Sequence, residues 1–112
     1  MTRQARKHQL QKSLIYHVIN RGNARSNIFR DEEDFSYFRR LLKEYKEEYG
    51  FLLYHWVLMN NHFHLVVEIE EPEKLSVAMA GMLRSYVYYH HKRYNSAGHL
   101  WQGRFKSQGI SR

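Results

Sequence analysis

A chain of 112 residues without cysteine has room for one packed core but not two, and it excludes a disulfide framework, a thiolate zinc site and a cysteine nucleophile. Aromatics at 15% and a hydrophobic share of 43% exclude general disorder, and no apolar run reaches membrane-spanning length or forms a signal peptide, which predicts a cytoplasmic protein. The net charge of +7 is unevenly spread: all eleven acids lie between Asp31 and Glu73, while residues 1–30 and 74–112 each hold seven Arg or Lys and no acid. If the fold joins the two ends, they form one basic surface suited to a polyphosphate backbone.

Residues 1–12 are basic and unpatterned and predict a loose arm ahead of a domain over 13–112. Leu14 to Asn20 is a β-branched and aromatic run closed by Arg21-Gly22-Asn23, a strand followed by a turn. Asp31 then caps a helix in which Phe35, Phe38, Leu41, Leu42, Tyr45 and Tyr49 recur at helical spacing until Gly50. Its Glu/Lys/Arg outer face reads as solvated. Two strands follow, Phe51 to Met59 and His62 to Ile69, joined by Asn60-Asn61, a pair that tolerates the positive φ of a tight hairpin. Pro72 breaks the sheet. Leu75 to Tyr94 predicts a second helix, with Leu75, Met79, Met82, Leu83 and Tyr86 on its buried stripe and Asn95 to Gly98 as its exit. His99 to Lys106 predicts a last strand. The order βαββαβ is the α+β, ferredoxin-like split arrangement: a four-stranded antiparallel sheet with two helices on one face and the other face open.

Candidate chemistry concentrates on His62-Phe63-His64-Leu65-Val66-Val67-Glu68. Strand alternation sends Phe63, Leu65, Val67 and Ile69 toward the helices and leaves His62 and His64 side by side on the open face, a spacing at which two imidazoles can grip one cation. If Tyr16 and Val18 face the core, His17 joins them as a third candidate ligand, on a rung the sequence leaves open. An isolated His-x-His pair is also a common surface accident.

Four separated blocks add a family. Tyr16-His17-Val18 with Arg21-Gly22-Asn23, Ile28-Phe29 with Asp31 and Asp34, Leu58 to Leu65, and Gly98 to Lys106 together resemble the IS200-like transposases, including the REP-associated tyrosine transposases. The resemblance covers about residues 13–110 and implies the same fold. It also implies that His62 and His64 hold Mg²⁺ or Mn²⁺ against a scissile phosphate of single-stranded or hairpin DNA, where a tyrosine hydroxyl attacks to give a 5′-phosphotyrosine. Arg21, Asn23, Arg25, Trp101, Gln102, Arg104 and Lys106 become candidate DNA contacts, although Trp101 fits a core position equally well. A homodimer is a further implication. Asn60 stands where the family usually has proline. The family's tyrosine, on a helix following the Trp-Gln-x-Arg-Phe block, has no counterpart before Arg112; Tyr86, Tyr88, Tyr89 and Tyr94 are expected on the helical side of the sheet, away from the histidines.

The expected function is therefore single-stranded DNA binding by a transposase-like domain. A non-catalytic regulatory remnant and an RNA-binding module using the same open sheet are the alternatives. Histidines rather than aromatics at the centre of that face weigh toward metal and DNA. A plain interaction domain with a partner on the open face is the third class.

Overall fold

A computed structural model describes residues 14–110, so the basic arm expected over residues 1–12 lies outside the described residues. In chain order the elements are β1 (Leu14–Arg21), a 3₁₀ turn (Asn23–Arg25), α1 (Glu32–Tyr49), β2 (Leu52–Met59), β3 (His62–Ile69), α2 (Pro72–Tyr94) and β4 (Lys106–Ile110). The strands form one antiparallel sheet in the order β2-β3-β1-β4, so β1 and β3 are central, as the ferredoxin-like arrangement requires. Among the described residues no helix is long and apolar enough to cross a membrane.

The boundaries follow local chemistry. Asp31 accepts a hydrogen bond from the Asp34 N–H at 3.2 Å and starts α1, and Gly50 ends it at φ 75°, a left-handed conformation that costs glycine little. Pro72, expected only to interrupt the sheet, opens α2 in its first turn, where its missing N–H has no helical partner to lose. The hairpin turn differs from expectation, because neither Asn60 nor Asn61 has positive φ. Their carbonyls are used instead: Asn60 accepts from Ile28 and Phe29, and Asn61 from Gly22, at 2.8–3.0 Å. At Gly22 a Cβ would lie 2.4 Å from the Ser26 carbonyl, which is why the turn after β1 needs glycine.

The core lies between the sheet and the two helices. Val18, Phe63, Leu65 and Val67 meet Phe38 and Leu42 of α1 and Met79, Met82 and Tyr86 of α2, and the predicted stripe of α2 is buried in full. The last predicted strand is displaced. His99 to Phe105 is irregular apart from an isolated bridge between Gly22 and Trp101, and only Lys106–Ile110 forms a strand, because Leu100 and Trp101 are drawn into the core while the backbone there bonds to the end of β1. Trp101 donates its indole N–H to the Leu83 carbonyl and packs edge-on against Phe63.

Within α2, His90 is 3% exposed and neither ring nitrogen has a hydrogen-bond partner among the described residues. Burial, and then the charge of Arg30, hold it below the usual histidine range. It is therefore neutral in the fold, so its stability contribution is full above that range and is lost as pH falls through it toward the lower folded value. His90→Phe keeps a ring, removes two orphaned nitrogens and is expected to raise unfolding free energy by about 1 kcal/mol. Urea titrations at pH 5 and pH 8 check both statements: the gain should be larger at pH 5.

Candidate metal and nucleic-acid site

Register fixes which side chains share the open face. Arg21 stands opposite His62, Ile19 opposite His64, and His17 opposite Val66. Paired residues in antiparallel strands point the same way, so His17, Ile19, Arg21, His62, His64 and Val66 share one face. Val18 between them is fully buried and Tyr16 packs on the core, as the alternation of β1 requires. On the outer strands Val57 and Met59 flank the two histidines of β3, and Lys106 flanks Ile19. Among the described residues, no element covers this face.

The three histidines are in contact. His17 Nε2 lies 2.9 Å from His64 Nδ1, with the rings nearly parallel at 9°. His62 and His64 stand perpendicular, centroids 5.0 Å apart. The His62 Nδ1–H donates to the Asn61 side-chain oxygen at 2.8 Å. Burial, then the neighbouring His62 and His17, hold His64 below the usual histidine range, so it offers a neutral imidazole near pH 7. Among the described residues no three His, Asp or Glu side chains are arranged to hold a metal ion. The pair His62 and His64, each with Nδ1 engaged and Nε2 left over, nevertheless has the donor chemistry for a two-point grip on a divalent cation.

Two clefts flank this pair and share Ile19 and Arg21 as their common wall. One, of about 430 Å³, runs along Arg25, Asn61, His62 and His64. The other, of about 370 Å³, is bounded by Gln102, Gly103, Arg104 and Lys106. The segment shaping the second cleft is bolted to β1: Asn23 N–H donates to the Leu100 carbonyl, Gln102 N–H to the Arg21 carbonyl, and the buried Asn20 amide to the Gly103 carbonyl at 3.1 Å. Asn20 in turn accepts from the Arg21 N–H. A basic trough thus passes the histidines, with Arg21, Arg25, Arg104 and Lys106 exposed along it.

The predicted site residues divide accordingly. His62, His64, Arg21, Arg25, Gln102, Arg104 and Lys106 line the clefts, and His17 lies behind them in contact with His64. Asn23 sits exposed at the turn beside them, whereas Trp101 is buried and shows no stacking face. Asn20 and Asn61 were not among the predicted site residues, Asn61 having been read only as half of the hairpin turn; both are amides near a strand end, a weak signal. Asp34, named in the sequence only as part of the family resemblance and given no role, is fully buried at the junction of α1 and α2.

The tyrosines of α2 lie on the helical side of the sheet. Tyr86 donates to the Ile28 carbonyl, and Tyr89 and Tyr94 donate to Asp34. Burial and then the Asp34 hydrogen bond push the Tyr94 phenol up to about 12, and burial raises Tyr86 and Tyr89 further still. Held protonated and turned away, none of the three is placed to attack at the histidines. On the open face Tyr54 donates to Glu68, four residues along β3 from His64, about 13 Å at strand rise.

The family model described as "Transposase IS200 like" matches residues 10–112. No curated protein matches the chain. Among solved structures, one of a candidate transposase from Deinococcus radiodurans R1 superposes with TM-score 0.69 at 20% identity, covering 88% of this chain and 80% of that one. A REP-associated tyrosine transposase bound to a REP hairpin gives TM-score 0.61 at 18% identity over 90% of this chain, which spans only 58% of that protein. At such identities the likeness speaks for the fold.

Proposed function

Because the chain belongs to the IS200-like transposase family, whose model spans residues 10–112, we propose that it binds single-stranded or hairpin DNA through the basic trough, with His62 and His64 holding a Mg²⁺ or Mn²⁺ ion beside the bound phosphate. The observation that carries this reading is the juxtaposition of two imidazoles with a cleft wall of arginines on one uncovered sheet face. The hairpin carried by one structural relative supports the same substrate class.

Each residue has a definite task. Arg21 is positioned to serve both clefts and so to keep one backbone in register past the histidines, while Arg25 sits on one side and Arg104 and Lys106 on the other. Gln102 and Asn23 offer neutral hydrogen bonds at the trough's edge. A divalent ion held by His62 and His64 supplies positive charge to phosphate oxygens, and neutral imidazoles hold it without cancelling that charge. The tyrosine attack implied by the family has no nucleophile at the histidines among the described residues, so the reading rests on binding and not on cleavage. Self-association, also implied by the resemblance, is part of the proposal only as a second copy placed without disturbing the trough.

Fluorescence anisotropy with a labelled single strand, a hairpin carrying an unpaired flank, and a plain duplex of matched length tests the reading. Tighter binding to the first two, weakening steeply with salt, is expected; equal affinity for duplex would sink it. A matched RNA strand as competitor separates DNA from RNA preference. Mn²⁺ titration followed by electron paramagnetic resonance should show one site, weakened at least about 100-fold in His62→Ala and in His64→Ala.

A further inference from the structure

A histidine ligates a metal only through a ring nitrogen carrying a lone pair, and which nitrogen that is depends on the partner of the other one. Both candidate ligands here have Nδ1 occupied, by two different devices. At His62 the partner is an amide oxygen, which can only accept, so the proton sits on Nδ1 and the lone pair on Nε2. At His64 the partner is another imidazole nitrogen, His17 Nε2 at 2.9 Å, and the shared proton can belong to either ring.

We propose that His17 is not a third metal ligand but a positioning residue, which accepts the Nδ1 proton of His64 at its own Nε2 and so, together with Asn61 at His62, sets both histidines to present Nε2. This rests on the reading that His62 and His64 hold the ion. A neutral imidazole has one in-plane lone pair; with that of His17 at Nε2 turned onto His64 Nδ1, its own proton sits on Nδ1 and neither nitrogen is left for an ion, so the three rings form a chain of contacts, His17 to His64 to His62. That arrangement accounts for the lack of a three-residue metal cluster among the described residues.

The backbone holds both positioning groups firmly. His17 is pinned to the open face of a central strand by the buried Val18 and lies between Val66 and Gln108 on the neighbouring strands. Asn61 is fixed at the hairpin because its carbonyl accepts from the Gly22 N–H at 2.8 Å, while Asn60 anchors Ile28 and Phe29. The turn between β2 and β3 and the turn after β1 therefore set the orientation of His62 together.

Three measurements on the full chain decide the matter. Long-range ¹⁵N–¹H correlation spectra of the metal-free protein should show His64 and His62 protonated at Nδ1. Electron spin echo modulation of bound Mn²⁺ should count two coupled imidazoles in the wild type and in His17→Gln alike. Mn²⁺ affinity should fall about 10–100-fold in His17→Ala and in Asn61→Ala, and return to within a few-fold in His17→Gln, whose amide oxygen can accept the same proton. Circular dichroism confirms that each variant is folded, and His17→Phe, which keeps a ring but no acceptor, should behave as His17→Ala does. A metal-free His64 protonated at Nε2, three coupled imidazoles, or Mn²⁺ binding unchanged in His17→Ala would each overturn the assignment alone. A wild type that binds no Mn²⁺ would overturn the metal reading and this assignment with it.

Discussion

Asp34→Ala is expected to lower the unfolding free energy by about 3–5 kcal/mol, measured by urea denaturation at pH 7, the range for removing one partner of a buried charge network. The Asp34 side chain is wholly buried and accepts from Tyr89 at 2.6 Å, Tyr94 at 2.5 Å, Arg93 at 2.6 Å and the Arg30 N–H at 2.9 Å. Its removal leaves two phenols, a guanidinium and an amide without their acceptor, where α1 meets α2. Arg93 also bonds Asp31, so part of the guanidinium's pairing survives and the loss stays within that range. Asp34→Asn keeps the volume but gives up the charge and should fall between. Burial alone would raise the Asp34 pKa, but hydrogen bonds from Tyr89, Tyr94, the Arg30 backbone and Arg93 outweigh it, and the net direction is down. Its contribution is therefore complete above the ordinary carboxylate range and fades as pH falls through that range toward the lower folded value. In Asp34→Ala that part of the acid sensitivity should disappear.

Removing Arg21, Arg104 and Lys106 together, each to alanine, should weaken single-strand binding about 100-fold near 0.1 M salt. Each phosphate contact on a single strand releases about 0.7 of a counterion, worth roughly fivefold in affinity at that salt, and three contacts multiply. The slope of log affinity against log salt should shrink by about 2. All three side chains are exposed at the clefts and none fills the core, so the melting transition should hardly move. Lys43→Ala, on the exposed outer face of α1, serves as the control of like charge and should leave affinity unchanged. A triple variant that binds like the wild type would remove the trough from the account.

How much of this was legible in the sequence depends on whether the feature is local. The caps at Asp31 and Gly50, the stripes of both helices and the alternation that turns His62, His64 and His17 to one face each rest on neighbours in the chain, and each is present in the structure. β4 failed that test. Leu100, Trp101 and Phe105 have strand-like composition, but they serve the core from an irregular segment, while the strand itself is a polar edge without alternation. Asp34 was equally hidden, one acid among the four from Asp31 to Asp34, and only contacts from a helix more than fifty residues later reveal its burial. The role of His17 was out of reach for a different reason: sequence can put a ring on a face but cannot say which nitrogen meets which.

The trough that carries the functional reading is built from opposite ends of the chain. Asn20 and Gly103, joined by one hydrogen bond, are 83 residues apart, and β1 meets β4 through five paired positions that are all exposed on the β4 side. Closing so long a loop costs entropy before any contact repays it, and the β4 edge has little buried surface with which to repay. A chain with both helices, β2 and β3 in place but β4 undocked would still be compact, and would lack one wall of its own binding cleft. If the trough binds DNA as proposed, that binding requires complete folding: molecules with β4 undocked would be silent toward the ligand, and a bound strand, by bridging β1 and the segment leading into β4, would strengthen the last seam of the sheet.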